Sequence, residues 1–504
     1  MHDSNTQMVD AVAQSLREAW PGAAPAVAAP LLEGAAAAQV AQALQQLHPN
    51  AWVIVVTSGP NELEAFHSDL LTLAPDQTLP PLLLPPPEAE GSSGDIERDG
   101  ARLAVARRLS EAVAAPSASP ALLATTATAL LAPLPEPQAV GQAGRMLQAG
   151  SSEHGFEALV AALSEAGYER ESEVVAKGQM AVRGGLLDVW PPDAPLPVRV
   201  DFFGDTIETL RTFDPASQRS TEALDALWIP PCDLARLPAA APVWRLPEGA
   251  IFLWLDHDRI AATTTAPGAA EPSPAAWESL RAAVAQRAPR REIFCGDPPP
   301  AGIPTLPLRV GAPPGLAGLA DDPYQPDLRM AARQKLLADL DARARAGECV
   351  VIYLDTAGGL EWLARDLPPD TPIILRRGVL SGGCEWPGLK LVLLGQPDIY
   401  ALRKRSARAY TPPATTGRGG RIERTEELQP GELVVHIDHG IGRFEGTGEI
   451  ERDGRRVEVM TLRYADGARL HVPTSHAHLL SRYIGIGGRE VPLHRLGGRR
   501  WQQD

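Results

Sequence analysis

The sequence predicts a multidomain protein that combines α/β and α+β units and ends in a small β-barrel. The chain has 504 residues, too many for one hydrophobic core, which suggests roughly three or four domains. Short apolar runs alternate with helical patterns in two regions, as expected for α/β layers with parallel strands. Near the C-terminus, short alternating runs are separated by Asp-Gly pairs, which are typical of tight hairpins in small barrels.

The first α/β unit is expected to span residues 1–145. Its alanine content and apolar runs predict, in order, helical structure over 10–48, a buried strand at 51–56, helices over 61–72 and 95–114, and a second strand at 121–126.

The next unit, residues 146–222, has the pattern of an antiparallel domain inserted into the first unit. A helix is expected over 155–167. In the run from Val198 to Phe203, apolar and polar residues alternate with the period of a half-buried strand, and Gly204-Asp205 predicts a tight turn. Phe202 and Phe203 fall on opposite faces of this strand, so both cannot enter one core.

The remaining boundaries follow from changes in composition. Residues 223–326 are expected to complete the first unit and, over 260–326, to be partly loop or linker because alanine and proline are abundant and periodicity is weak. The rest of the chain is predicted to contain a small α/β domain at 327–410, a flexible linker at 411–427, an SH3/Tudor-like barrel at 428–488 with a closing helix from Ser475 to Tyr483, and a connecting segment at 489–504.

Charge and cysteine content restrict the possible environment. The net charge is −15, whereas residues 401–504 carry about +5. Only this C-terminal segment therefore favours contact with nucleic acid. A solvated basic surface is the simpler interpretation of its charge. The four cysteines are far apart and fit buried apolar roles in a reducing cytoplasm. No run is long and apolar enough for a membrane span, and the first residues lack a secretory pattern.

A degenerate phosphate loop precedes the second half of the first helical region. A working loop needs glycines, a lysine for the phosphates and a Ser or Thr for magnesium. Here Gly34 remains, while Ala37 and Ala38 stand where the lysine and threonine would be. No lysine precedes Lys177, so nucleotide hydrolysis by this unit is not expected.

No other catalytic or metal site is predicted. His436, His439, His471, His476 and His478 lie near each other in sequence, but surface and turn positions explain them better than zinc coordination does. No nucleophile elbow or paired carboxylates stand out, so no cofactor is expected. From the residues alone, the chain is predicted to be a binding protein without catalysis.

Two blocks of sequence resemble known families. Ala181-Val182-Arg183-Gly184, Leu187-Asp188-Val189-Trp190-Pro191 and Arg199-Val200-Asp201-Phe202-Phe203-Gly204-Asp205 resemble the UvrA-binding domain of the excision-repair protein UvrB. The run from Pro430 to Phe444, together with Tyr464-Ala465-Asp466-Gly467 and Leu470-His471-Val472-Pro473, resembles the RNA-polymerase-interacting domain of the CarD and Mfd families. Together they are similar to the N-terminal half of a bacterial transcription-repair coupling factor.

The resemblance implies specific partners and residues. A UvrA-binding surface would include Arg183, Arg199 and Phe203, and a surface for the RNA polymerase β subunit would include Ile450 with its neighbours Glu449 and Glu451. It also implies a UvrB-like module with a degenerate phosphate loop, and a translocase motor expected to begin after Trp501 and therefore to be absent.

The expected function is thus a non-catalytic adaptor between RNA polymerase and UvrA in nucleotide excision repair, with at most weak DNA contact and no membrane partner. Two alternatives remain open: a fragment of a complete ATP-dependent DNA translocase, and a CarD-like transcription regulator that uses only the barrel.

Overall fold

The computed structural model describes a large part of the chain. The described residues are 4–20, 26–74, 80–87, 95–114, 120–153, 155–215, 217–232, 234, 237–269, 271–286, 291–298, 302–316, 326–400, 431–436, 440–452, 455–465, 467–473 and 480–482. The predicted linker at 411–427 and the segment at 489–504 lie outside them. Among these residues, no helix is both long and apolar enough to cross a membrane.

The helices of the described residues are α1 Ser4–Ala19, α2 Gly34–Leu47, α3 Pro60–Leu73, α4 Ile96–Ala114, α5 Ala127–Leu131, α6 Pro137–Ala143, α7 Phe156–Glu165, α8 His257–Thr263, α9 Pro274–Gln286, α10 Pro326–Arg345, α11 Ala357–Asp366 and α12 Gln396–Tyr400.

The strands are β1 Ala26–Pro30, β2 Val53–Thr57, β3 Leu82–Leu84, β4 Leu122–Thr126, β5 Leu134–Pro135, β6 Arg145–Gln148, β7 Glu169–Arg170, β8 Gln179–Arg183, β9 Leu186–Val189, β10 Val198–Phe203, β11 Thr206–Phe213, β12 Ser220–Leu224, β13 Ala226–Ile229, β14 Ala239–Ala240, β15 Ile251–Trp254, β16 Arg291–Gly296, β17 Cys349–Leu354, β18 Ile374–Arg377, β19 Cys384–Trp386, β20 Leu391–Leu394, β21 Leu433–His436, β22 Gly440–Arg452, β23 Arg455–Arg463, β24 Arg469–Pro473 and β25 Leu480–Arg482.

A six-stranded parallel sheet forms the first unit, with strand order β1-β16-β15-β2-β4-β3. Its central strands β2, β4 and β15 are buried along their whole length. Continuous apolar runs are typical of parallel strands that are covered on both faces. This confirms the predicted α/β layer.

One sequence-based expectation for this unit is wrong. Residues 10–48 are not helical throughout, because β1 separates α1 from α2 and pairs with β16. Residues 260–326, which were expected to be partly loop or linker, contain most of α8, all of α9 and the sheet strand β16, and residues 302–316 are largely without regular structure. The alanine-rich run of β1 has weak intrinsic strand preference, so pairing and burial in the sheet determine its conformation.

A six-stranded sheet, β12-β11-β10-β9-β8-β7, forms the inserted unit. Its strands pair antiparallel from β12 to β8, and the short edge strand β7 pairs parallel to β8. One face carries the core, which includes Val198, Val200 and Phe202 from β10. The strands that lead into and out of this unit, β6 and β13, pair with each other antiparallel. The insertion is therefore joined to the parallel sheet by a two-stranded stalk rather than by loops.

A four-stranded sheet, β18-β17-β20-β19, forms the third unit. One face of this sheet packs against α10, α11 and α12 in a core of the unit's own, which includes Val350 and Ile352. The other face belongs to a second, continuous core with side chains from α1, α2, α3 and the parallel sheet, and it contributes Val351, Tyr353 and Trp386. Residues 35–41 of α2 are all buried, and a helix that is apolar all round is expected where it is packed on every side.

The C-terminal unit is a five-stranded sheet in the order β24-β23-β22-β21-β25. Its core includes Phe444, Met460, Leu462 and Tyr464. The expected closing helix from Ser475 to Tyr483 is wrong at its C-terminal part, because Leu480–Arg482 is strand β25, paired with β21. Backbone pairing with β21 outweighs the weak helical pattern of so short a segment.

Candidate protein-interaction surfaces

Phe203 projects from the end of the β10–β11 hairpin into solvent. It is 81% exposed, the largest value among the apolar side chains that stand out as exposed, whereas its neighbour Phe202 is 7% exposed. Phe202 packs edge-on against Phe156, with ring centroids 5.1 Å apart. The pleat therefore sends one phenylalanine into the core and the other outward, as the alternation predicts.

Arg199 lies on the same face of β10 as Phe203 but is held by its own domain. Its guanidinium makes two hydrogen bonds to the Asp188 carboxylate, at 2.7 and 2.8 Å. It also lies 4.8 Å from the ring centroid of Phe213 and donates to the carbonyl of Gln218. The hydrogen bond to Asp188 raises the pKa of Arg199 above its already high value. Arg199 thus has a clear structural role, and about a fifth of its side chain remains exposed.

Arg183, at the end of β8, is the more accessible of the two arginines. Its side chain is 45% exposed, forms an ion pair with Glu173 at 3.2 Å and donates to the carbonyl of Ser172. The register places Arg183 opposite Leu186 and Leu186 opposite Asp201. Directly opposed residues point to the same face, so the sheet brings Arg183, Arg199 and Phe203 to one face.

Val175 is an exposed apolar residue that the sequence patterns did not single out. It is 62% exposed, and it follows Val174, which is fully buried with Ala181, Trp190 and Phe213 on this same face. Two adjacent valines in a segment without regular structure do not both enter one small cluster. The Val174-Val175 pair was therefore the sequence signal that could have indicated an exposed valine. We define Arg183, Phe203 and Val175 as the exposed part of the Phe203 face.

The inserted unit, which carries the Phe203 face, also contacts the first unit through α4. Arg107 on α4 forms an ion pair with Asp193 at 3.1 Å, and the Asp193 side chain is almost fully buried. Burial raises the pKa of Asp193, and the charge of Arg107 opposes that rise. Gly100 of α4 faces the carbonyl of Pro192 so closely that a Cβ atom would not fit. The inserted unit is therefore packed against α4 as well as joined by the stalk.

The predicted degenerate phosphate loop lies where α2 begins. Gly34 has a left-handed backbone with φ of +52°, and Ala37 and Ala38 are buried in the first turn and a half of the helix. The N–H of Ala35 donates to the carbonyl oxygen of Gly382 at 2.9 Å. In a working phosphate loop, such helix-terminal N–H groups face the phosphates. Here a backbone oxygen of the third unit lies in that position.

Glu449, Ile450 and Glu451 lie in the long strand β22. They are opposite Glu458, Val457 and Arg456 of β23, respectively. Strand β21 pairs only with residues 440–443 of β22, and β24 pairs only with residues 459–463 of β23. Within the described residues, the outer ends of β22 and β23 thus form a two-stranded arm, and the edge of β22 at residues 449–451 pairs with no third strand.

The histidine positions do not converge on a metal site in the described part of the chain, where no group of three or more potential ligands is close together. His471 instead forms a hydrogen bond with Thr461 at 3.1 Å. His439, His476 and His478 lie outside the described residues. Among the cysteines, Cys232, Cys295 and Cys384 are buried as predicted, and Cys349 is half-buried.

Two family models match these surfaces. The UvrB interaction domain matches residues 147–234, which include the Phe203 face. The CarD-like/TRCF RID domain matches residues 428–484, which include the two-stranded arm. The two matches on one chain support similarity to a part of a transcription-repair coupling factor.

Whole-chain similarity leads to the same class. The chain is 29% identical to the transcription-repair-coupling factor of Escherichia coli over 427 residues, which cover 69% of this chain and 36% of that protein. It is 28% identical to the corresponding protein of Mycobacterium bovis over 537 aligned positions, 87% of this chain and 42% of that protein. The chain is therefore similar, over most of its length, to part of a transcription-repair coupling factor, and it spans well under half of these relatives.

Proposed function

We propose that this chain is a non-catalytic adaptor in transcription-coupled nucleotide excision repair. In this proposal it binds UvrA through the Phe203 face and the RNA polymerase β subunit through the two-stranded arm of the C-terminal sheet. The C-terminal sheet is proposed to belong to a small SH3/Tudor-like barrel. The observation that carries the proposal is that a UvrB interaction domain and a CarD-like/TRCF RID domain occur on one chain.

The Phe203 face has the composition of a binding hot spot. Interface energy is concentrated in a few aromatic and arginine side chains. Phe203 at 81% exposure supplies the aromatic group, and Val175 adds apolar area. Arg183 adds a half-exposed guanidinium that can exchange Glu173 for a partner's acid. Arg199 stabilises this face through its ion pair with Asp188. Because only about a fifth of its side chain is exposed, its direct contribution to binding is small.

The arm offers a sheet edge to the polymerase. An extended partner strand can add to an unpaired edge, where main-chain hydrogen bonds supply affinity and alternate side chains supply specificity. Ile450 is the apolar position in this edge, and the charges of Glu449 and Glu451 discourage pairing with wrong partners.

The absence of nucleotide chemistry in the first unit is part of the proposal. Ala37 and Ala38 provide neither the ammonium nor the hydroxyl that phosphates and magnesium require. The alternative is that these residues are part of a complete ATP-dependent DNA translocase, and the 36% coverage of the E. coli relative favours it. Reading the coding sequence downstream of codon 504 distinguishes the two.

The adaptor proposal is tested with purified UvrA and purified polymerase β subunit in separate binding measurements. Phe203→Ala should weaken UvrA binding at least tenfold and leave polymerase binding unchanged, while Ile450→Arg should do the reverse. Met146→Ala is the control, because Met146 is 56% exposed and lies on the stalk strand β6 rather than on either surface. A wild-type chain that binds neither partner would refute the proposal. Intact polymerase regulation by residues 428–484 alone would favour the CarD-like alternative.

A further inference from the structure

Residues 378–386 of the third unit, which we call the latch segment, make polar contacts with α2 and α3 of the first unit. We propose that the latch segment is a built-in ligand of α2. The third unit then takes the position that a nucleotide would have and keeps the start of α2 permanently occupied. This inference concerns the interior of the chain and does not depend on which partners it binds.

The first observation is the contact at the start of α2. The first N–H groups of a helix have no partner within the helix and carry partial positive charge, so they attract oxygen acceptors. The Gly382 carbonyl accepts from the Ala35 N–H at 2.9 Å. A Cβ atom at Gly34 would collide with the Gly382 backbone, so the close approach requires glycine at position 34.

The second observation is a set of side-chain contacts from α3 that fix the latch segment. Asp69, which is fully buried, accepts hydrogen bonds from both the N–H and the hydroxyl of Ser381, each at 2.6 Å. Thr72 donates to the carbonyl of Val379 at 2.7 Å and accepts from its N–H at 3.2 Å. A buried carboxylate is stable only where hydrogen bonds compensate for lost water, so Asp69 depends on the latch segment.

The third observation is that α2 itself binds the far end of the latch segment. The side-chain oxygen of Gln39, which is 1% exposed, accepts from the Trp386 indole N–H at 2.8 Å and from the Cys384 thiol at 3.4 Å. Beyond the latch segment, the Tyr353 hydroxyl donates to Asn5 of α1 at 2.9 Å. These polar contacts lie within the continuous core that the two sheets share.

These contacts predict a conformation that does not respond to nucleotides. A phosphate could reach the Ala35 N–H only if Gly382 moved away, and that movement would also break the Asp69, Thr72 and Gln39 contacts and open the shared core. Binding that must first disrupt such an interface is penalised by the cost of the opened state. The third unit therefore does for this module what a bound nucleotide does for a phosphate-loop module.

The test is hydrogen exchange by mass spectrometry on the full chain, followed over peptides from residues 34–44 and 378–386. Gly34→Ala should displace Gly382 and raise exchange at least tenfold in both peptides together. The matched control is Gly249→Ala, because Gly249 also has a positive φ, +75°, but has nothing within 4 Å of an added Cβ. Equal exchange in the two variants would overturn the proposal.

A milder variant covers the case in which Gly34→Ala fails to fold. Ser381 donates two hydrogen bonds to Asp69, and Ser381→Ala removes the one from the hydroxyl. This variant should raise exchange severalfold in the same two peptides. The control Ser164→Ala removes a hydroxyl that donates to the carbonyl of Val160, one turn earlier on the exposed side of α7. Millimolar Mg-ATP should leave the wild-type exchange pattern unchanged. Protection of residues 34–44 by Mg-ATP, or no effect of Ser381→Ala, would overturn the proposal.

Discussion

Replacing Arg199 by alanine separates a structural role from a binding role, because the two make opposite predictions. The substitution leaves the Asp188 carboxylate, which is 3% exposed, without its two hydrogen-bond donors. Breaking a buried ion pair costs about 3–5 kcal/mol, and the lower end applies because the guanidinium is about a fifth exposed. Loss of the contact with Phe213 adds about 0.5–1 kcal/mol.

We therefore expect the inserted unit to lose about 3.5–4 kcal/mol of stability, equivalent to a rise of about 300- to 700-fold in amide exchange of β9 and β10. Hydrogen exchange by mass spectrometry on the full chain measures this directly. Arg183→Ala is the matched control, since its ion pair with Glu173 is exposed and is worth about 0–1 kcal/mol. The double change Asp188→Leu with Arg199→Met should recover most of the loss, because it leaves no buried charge.

The opposite result would refute this reasoning. If Arg199→Ala left exchange in β9 and β10 unchanged but abolished UvrA binding, Arg199 would be an interface residue and the Asp188 pair would be energetically unimportant.

Three further predictions follow from other parts of the molecule. Phe203→Ala should change the free energy of unfolding by less than about 0.5 kcal/mol, the usual range of a surface substitution, because its ring is exposed; a large loss of stability in thermal unfolding would contradict this. Gly141→Ala should stabilise the chain by about 0.5–1 kcal/mol in thermal unfolding, because Gly141 lies inside α6 and an added Cβ meets nothing within 4 Å. Glu292→Ala should destabilise the parallel sheet by about 3 kcal/mol, since buried Glu292 accepts from Arg281 and, at 3.0 Å, from the Trp254 indole; exchange in β15 and β16 equal to wild type would exclude this role.

The sequence pattern predicts much of this fold where local signals are strong. The apolar run of β2 and the alternation in β10 each identify a strand and its buried face. Strands β1 and β16 were not predicted, because the alanine-rich and charged segments around them have no periodicity. They become strands by pairing in the sheet, β1 with β16 and β16 also with β15. Pairing between distant segments is a tertiary effect that a local pattern does not contain.

The candidate surfaces show the same division. The outward direction of Phe203 follows from its position after Phe202, so the pattern alone predicts it. The pairing of Arg199 with Asp188 depends on the register between β9 and β10, which no spacing in the sequence reveals. The contact between Gly34 and Gly382 joins two glycines far apart in the chain, and neither has a side chain to mark the site.

The stalk formed by β6 and β13 fixes the orientation of the inserted unit and transmits force from it to the parallel sheet. A domain on one flexible linker can swivel, but here the chain enters and leaves along two paired strands, and Arg107 ties α4 to Asp193 beside them. A partner bound at the Phe203 face is therefore presented at a set angle to the parallel sheet. Tension on that partner would be carried along hydrogen-bonded strands into the scaffold instead of being absorbed by a hinge.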